Sequence, residues 1–214
     1  MSNSVRTENS AEVTIVGLSI SNFTRTIRMV CEEKRIMYNL DEARPQSDTA
    51  FKCHPLGRIP GLVHGDMLLG ESTAIANYLD DMFPEMALFP RDPVDRAKVD
   101  QWASVVGTAV DQAMIRNYII PHLFPEAAAG DPRILIQSAI PIMQQQIGCL
   151  SAAVAASGYL AGPSLTYADL VLLPILAGIM KFPEGRSAMD GAAPLRDYFE
   201  HNSQRDSFVA TDPF

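Results

Sequence analysis

The chain has 214 residues, of which 47% are hydrophobic and 20% are charged, and its formal net charge is −8. This balance is typical of a globular protein, and the length suits one large or two modest domains. Because phosphate binding needs a basic surface, the acidic balance argues against nucleic acid as the main partner.

Three features predict a cytoplasmic protein with no membrane partner. The first ten residues are polar and lack the apolar core of a secretory signal. The longest apolar run, Leu170 to Met180, is too short to span a bilayer and contains Pro174. The three cysteines form no C-x-x-C pair, and their odd number does not suit a disulfide framework.

The N-terminal part predicts a strand–helix–strand unit. Val13 to Val16 is a short β-branched run, typical of a buried strand, and a turn of small residues at 17–21 leads to a helix from Asn22. Alternating apolar residues at 36–40 predict a second strand. A unit of roughly thirty residues with this order favours a parallel pair of strands.

The next segments complete an α/β domain at residues 12–82. A short helix is expected at 47–53, and the residues on either side of His64-Gly65-Asp66 predict an antiparallel hairpin. A helix follows from Ser72. The expected fold is a mixed four-stranded sheet packed against helices.

Prolines interrupt the pattern between residues 83 and 93, where we place a domain linker. Everything after it predicts helix, so residues 93–214 are expected to form an all-α domain. Asp-Pro pairs open the first two helices, and the expected segments are 92–120 (stopped at Pro121), 131–157, 166–181 and one after Ala193.

Ile59-Pro60, immediately before the hairpin, is a candidate cis peptide, because only bonds before proline adopt cis at low cost. In that form the backbone N–H and C=O of Ile59 could face a ligand as an extended strand would. The alternative is that Pro60 is trans and merely begins an edge strand.

Glu71-Ser72 opens the helix after the hairpin. The first N–H groups of a helix and its dipole favour a carboxylate, and Glu71 could hold an ammonium group beside it. An amino acid head could therefore bind here. The alternative is that Ser72 only caps its own helix.

Thr166 and Asp169 have the spacing of a capping box and are interpreted as structural. The histidines are far apart in the sequence and predict no metal site. Cys31 lies on the apolar stripe of the first helix and is expected in the core. His54 follows Cys53, but neighbours on a helix do not face each other, so no reactive pair is expected.

In chain order, Ser21-Asn22-Phe23-Thr24-Arg25, the loop 55–60, Glu71-Ser72 and the segment 166–170 resemble the cytosolic glutathione transferases, of a serine-type, bacterial-like kind. The resemblance extends from about Val13 to Phe208. It implies a thioredoxin-like N-terminal domain, a helical C-terminal domain and a homodimer. Glutathione would be the co-substrate, and a small hydrophobic electrophile would be the second substrate.

The resemblance also implies roles for five residues. Glu71 and Ser72 would hold the γ-glutamyl end of glutathione, and Ile59, before a cis Pro60, would pair with the cysteinyl backbone. Arg58 would help to hold the glycyl carboxylate.

The transferase reaction needs a thiolate, and a free thiol has a pKa of about 8.5. Lowering that pKa by about two units takes roughly 2.7 kcal/mol. A hydroxyl donor at a helix N-terminus supplies stabilisation of this order, which favours Ser21, with Ser19 as the rival. Ser21 or Asn22 could instead be only the helix cap. Arg25 and Arg28 are interpreted as solvated or ion-paired.

Two other functions fit the same residues. One is a glutathione-dependent isomerase or dehalogenase, which would also use Ser21. The other is a non-catalytic interaction module, since a fold does not fix a function.

Overall fold

The computed structural model describes residues 12–213, so the polar N-terminal residues discussed above lie outside it. The described chain divides into two compact units. The first comprises the residues up to Ala87 together with those from Ala210 onward, and the second is Leu88–Val209. The predicted boundaries, 12–82 and 93–214, remain a proposal, but the last residues group with the first unit by their contacts.

The first unit contains the predicted mixed four-stranded sheet, in the order β2-β1-β3-β4. β1 pairs in parallel with β2, and β3 pairs antiparallel with both β1 and β4. The central strands bury Ile15 and Leu62 completely. The strands are β1 Val13–Val16, β2 Tyr38–Asp41, β3 Gly61–His64 and β4 Met67–Gly70.

Three helices accompany the sheet: α1 Asn22–Glu33, α2 Asp48–Cys53 and α3 Ser72–Met82. α1 buries the predicted apolar stripe, including Ile27 and Cys31. Burial raises the pKa of the Cys31 thiol, so this cysteine is an inert core residue, as expected.

Arg25 is buried rather than solvated, because the end of the chain packs on α1. Its side chain is hydrogen-bonded to the Thr211 hydroxyl at 3.5 Å, and Arg28 donates to the carbonyls of Thr211 and Ala210 at 3.2 and 3.4 Å. These contacts join residues more than 180 positions apart. No local sequence pattern could therefore have indicated them.

The second unit is helical throughout its described elements, as predicted. Its elements are α4 Pro93–Val105, a π-helix Val106–Ile119, α5 Ile120–Leu123, a 3₁₀ turn Pro125–Ala127, α6 Pro132–Ser157, α7 Tyr167–Ile179, α8 Pro183–Asp190, α9 Ala193–Asn202 and α10 Asp206–Ala210, of which the last residue belongs to the first unit.

The first long helix of this unit departs from the prediction in two ways. It widens into a 14-residue π-helix, and it continues through Pro121 to Leu123 instead of stopping. Pro121 is the second residue of α5, lies just after the junction with the π-helix, and is buried. Met114 and Tyr118, on the π-helix, are fully buried and belong to the core.

Asp169 is the third residue of α7, forms the predicted capping box with Thr166, and is fully buried. Its carboxylate accepts the Thr166 N–H and hydroxyl at 2.9 Å each, and it also accepts the Tyr198 hydroxyl and the Leu160 N–H at 3.0 Å. Because each donor serves to fix a helix start or a loop, the structural interpretation of Thr166 and Asp169 is confirmed.

By length and composition, one helix among residues 12–213 could cross a bilayer, namely α6 with a mean hydropathy of 1.2. A core helix passes the same test. α6 packs on the π-helix and α9 through a stripe of buried residues at helical spacing, Ala139, Met143, Ile147, Leu150 and Val154. Packing within the second unit buries 33% of the most apolar stretch of α6.

Lys34, at the end of α1, is expected to be essential for the stability of the first unit. Its buried ammonium donates to Asp80 at 2.7 Å and to the carbonyls of Glu85 and Met86 at 3.1 and 3.2 Å. Lys34→Met should lower the free energy of unfolding by about 3–5 kcal/mol, because it leaves a buried carboxylate without its cation. Denaturant titration measures this loss. The exposed pair Lys98–Asp95 provides the control, since Lys98→Met should change stability little; equal effects would contradict the prediction.

Gly70, at the end of β4, is expected to tolerate no side chain. A Cβ there would lie 2.6 Å from His54 Cδ2 and 3.0 Å from the Cys53 carbonyl oxygen. Gly70→Ala should therefore cost about 1–3 kcal/mol through overpacking. Gly148→Ala, on α6 with nothing within 4 Å of its Cβ, should instead stabilise by about 0.5–1 kcal/mol. Thermal unfolding of both variants gives the comparison, and a stabilised Gly70→Ala protein would refute the packing argument.

Candidate active site

The strand register brings the predicted site residues to one end of the sheet. Val16 pairs with Gly61, and Gly61 pairs with Gly70. The turn after β1, the loop before β3 and the start of α3 after β4 therefore leave the sheet at the same end. Adjacent strands lie about 4.8 Å apart, so the loops carrying Ser21, Ile59 and Glu71 are neighbours.

Gly17 lets the first two of these loops pack closely. A Cβ at Gly17 would lie 2.4 Å from Thr24 Oγ1 and 3.3 Å from Ile59 Cβ. The turn between β1 and α1 thus lies against the loop before β3. A larger residue would separate the two loops.

Ser21 is the N-cap of α1, and its Oγ accepts the Thr24 N–H at 3.5 Å. The hydroxyl proton has no acceptor within residues 12–213. The capping role and a donor role are therefore compatible, since they use different parts of one hydroxyl.

Ser19, the rival, lies outside the helix. Its N–H donates to both carboxylate oxygens of Glu42, at 3.3 and 3.2 Å. This bond fixes the backbone of Ser19 toward the loop after β2. The positive end of the α1 dipole is closer to the cap position, which Ser21 occupies.

The Ile59–Pro60 bond is cis, as predicted. Gln46 holds the loop before this bond through the loop's own carbonyls. Its Nε2 donates to Leu56 O at 2.7 Å, and its backbone N–H donates to Gly57 O at 2.8 Å. Arg58 is exposed and has no hydrogen bond or ion pair with any residue that the structure describes.

Glu71 occupies the cap position of α3 with a φ of +66° and makes no capping bond with its side chain. Ser72 is the first helical residue, so the alternative that Ser72 caps its own helix is wrong. A positive φ is uncommon outside glycine and costs energy, and such residues are concentrated at functional sites.

His54 is the residue of this region that the sequence interpretation missed. It is 3% exposed, and its Nδ1 accepts the Leu56 N–H at 3.0 Å while Nε2 lies 2.7 Å from Glu71 Oε1. Because Nδ1 is an acceptor, the neutral ring carries its proton on Nε2 and donates it to Glu71. The sequence interpretation compared His54 only with its neighbour Cys53, whereas its partner Glu71 lies 17 positions away.

The described site offers hydroxyl, carboxylate and backbone groups rather than a reactive protein thiol. Burial raises the pKa values of both Cys31 and Cys53. Within residues 12–213, no cluster of three or more metal-ligating side chains is found. The arrangement can hold an ammonium and a carboxylate at α3, pair with a peptide backbone at Ile59 and donate a hydroxyl proton at Ser21.

Residues 15–87 match the family described as the glutathione S-transferase N-terminal domain. Glutathione S-transferase U2 of Arabidopsis thaliana is 28% identical over 162 residues, which cover 74% of this chain and 67% of that protein. A stringent starvation protein A homolog of Haemophilus ducreyi is 26% identical over 188 residues, covering 87% and 83% of the two chains. The similarity thus extends beyond proteins named as transferases.

Solved structures share the fold. Glutathione transferase F7 from Populus trichocarpa superposes with a TM-score of 0.83 at 21% identity, covering 93% of this chain and 97% of its own. A glutathione S-transferase I bound with lactoylglutathione has the same TM-score at 20% identity, covering 94% and 98%. Residues 15–87 therefore match a glutathione S-transferase N-terminal domain, and the chain as a whole shares the fold of these solved glutathione transferases.

Proposed function

We propose that the protein is a glutathione transferase that activates the glutathione thiol for attack on a small apolar electrophile. The observation that carries this proposal is the convergence of Ser21, Ile59 and Glu71-Ser72 at one end of the sheet. From β1 to β4 there are two interstrand spacings, about 10 Å. An extended tripeptide has about the same length.

Each part of glutathione has a suitable partner. The γ-glutamyl ammonium binds the Glu71 carboxylate, and the γ-glutamyl carboxylate binds the Ser72 hydroxyl and the first amides of α3. The N–H and C=O of Ile59 pair with the cysteinyl backbone. Arg58, exposed and without a described partner, binds the glycyl carboxylate.

Ser21 stabilises the thiolate. Its hydroxyl donates to the sulfur while Oγ accepts the Thr24 N–H, an arrangement in which one hydrogen bond strengthens the other. The thiol proton passes to water, and the thiolate attacks the electrophile. The new S–C bond forms at the electrophilic carbon, and the bond from that carbon to its leaving group breaks; with chlorodinitrobenzene the C–Cl electron pair departs with chloride.

A serine-type enzyme is the form that the site supports best. β1 contains no tyrosine, and the raised pKa values of Cys31 and Cys53 keep these two thiols protonated. The relatives include a plant transferase as well as a bacterial protein, so the bacterial-like grouping is not carried further.

The second candidate is a non-catalytic module, which the similarity to the stringent starvation protein A homolog favours. Glutathione binding separates the two. A ligand at 100 times its Kd stabilises a protein by about 2.7 kcal/mol. If millimolar glutathione leaves the melting temperature unchanged, the module is the better proposal. A panel of electrophiles then separates a transferase from an isomerase or dehalogenase.

At a pH below the pKa of the bound thiol, Ser21→Ala should lower kcat with chlorodinitrobenzene by about 100-fold, because roughly 2.7 kcal/mol of thiolate stabilisation is lost. The glutathione Kd should stay within a few-fold, and the pH profile of kcat/KM should move upward by about two units. Loss of the cap costs about 1 kcal/mol, so assays are run well below the melting temperature. Ser19→Ala is the control; an unimpaired Ser21→Ala turnover number would remove Ser21 from the mechanism.

We also propose a cytoplasmic homodimer. The three cysteines are unpaired, which suits a reducing compartment. The first unit exposes large apolar side chains in α2, the loop after it and β4, namely Phe51, Leu56, Met67 and Leu68, each more than 40% accessible.

Phe51→Ser is therefore expected to weaken self-association, since Phe51 is 48% exposed and lies against Gly57. Sedimentation velocity should give twice the chain mass for the wild type and a shift toward monomer for the variant. Ile134→Ser, at a 65% exposed residue of α6, is the matched control. A monomeric wild type at all concentrations would rule out the dimer.

A further inference from the structure

His54 is held at both ring nitrogens and through its backbone. Leu56 N–H donates to Nδ1 at 3.0 Å, and Nε2 donates to Glu71 Oε1 at 2.7 Å. Its own backbone N–H donates to Ala50 O at 2.9 Å, and its carbonyl accepts from Gly57 at 2.9 Å. With 3% of its surface exposed, the residue is also enclosed by its surroundings.

Glu71, by contrast, has little else to fix its side chain. The side chain is 66% exposed, makes no capping bond, and has no partner other than His54 within residues 12–213. An exposed glutamate normally samples several rotamers, and ordering it on binding costs affinity. The buried imidazole removes that cost in advance.

We propose that His54 is a positioning residue for the γ-glutamyl ammonium of glutathione, acting through the Glu71 carboxylate. This inference rests on the proposed function. It also gives Gly70 a role, because only a residue without a Cβ lets the ring pass beside β4 to reach Glu71.

The same ring joins two of the binding loops. Through Nδ1 it fixes the loop that leads to Ile59, and through Nε2 it fixes the start of α3. Two substitutions separate these contacts. His54→Asn places its amide oxygen near the position that Nδ1 occupies in the wild type. It therefore retains the hydrogen bond from Leu56 and loses the one to Glu71. His54→Gln places its amide N–H near the position that Nε2 occupies in the wild type, so it retains a hydrogen-bond donor to Glu71.

The test compares glutathione with its analogue glutaryl-cysteinyl-glycine, which lacks the α-amino group. By calorimetry, His54→Asn should weaken glutathione binding about tenfold and leave the analogue unchanged, because only glutathione has the ammonium that Glu71 binds. His54→Gln should restore glutathione affinity to within about threefold. His201→Asn, at an exposed histidine of α9, is the control and should change neither affinity.

Coupling to Glu71 provides a second measurement. In the Glu71→Gln protein, adding His54→Asn should cause no further loss of glutathione affinity, because residues that act as one unit are not additive. A protected Nε2 proton resonance of His54 should also be present in the wild type and shifted by Glu71→Gln. This readout needs no folded His54 variant.

The possible contrary results separate the positioning role of His54 from the proposed transferase function. Wild-type glutathione binding that His54→Asn does not alter, equal losses for both ligands, or additive effects with Glu71→Gln would overturn the positioning role while the transferase function stands. A wild type that binds no glutathione would overturn the proposed function, and this inference with it.

Discussion

The pairing of β3 with both β1 and β4 is the constraint on which the candidate site depends. Val16, Gly61 and Gly70 lie side by side across three strands. The segments that follow β1 and β4 and the loop that precedes β3 therefore lie at the same end of the sheet. A slip of one residue in either pair would turn the side chains to the opposite face and move the loops apart. The buried side chains of Ile15 and Leu62 oppose such a slip, because they would be exposed by it.

The loops at this end are fixed by polar contacts that replace regular secondary structure. Gln46 and His54 satisfy backbone groups of the loop 54–60, and Glu42 binds the N–H of Ser19. Satisfied backbone groups in a partly buried loop contribute to its rigidity, because breaking them would leave donors or acceptors unpaired. Two glycines, Gly17 and Gly70, provide the space in which these contacts form.

Much of the first unit could be predicted because its signals are local. Alternation and β-branched runs mark the strands, and Ser21 and Ser47 mark helix starts that the structure has at the same residues. The helix through residues 93–123 was predicted less well. Its middle part is a π-helix, and the prediction used Pro121 as a stop signal, whereas the helix continues through it to Leu123.

The contacts of His54 and Arg25 could not be predicted from local sequence signals. Both residues were interpreted from their immediate neighbours, yet their partners lie 17 and 186 positions away. Such contacts are set by how elements pack, and no spacing in the chain encodes them.

The sequence by itself determined the elements of this protein, the order of its binding motifs and the presence of a serine at the head of the first helix, because each follows from periodicity, capping chemistry or turn residues. The tertiary structure alone decided that Glu71, rather than Ser72, takes the cap position, that a buried histidine holds its carboxylate, and that the end of the chain covers Arg25. Those outcomes depend on which surfaces meet when the chain folds, and that is a property of packing rather than of any local segment.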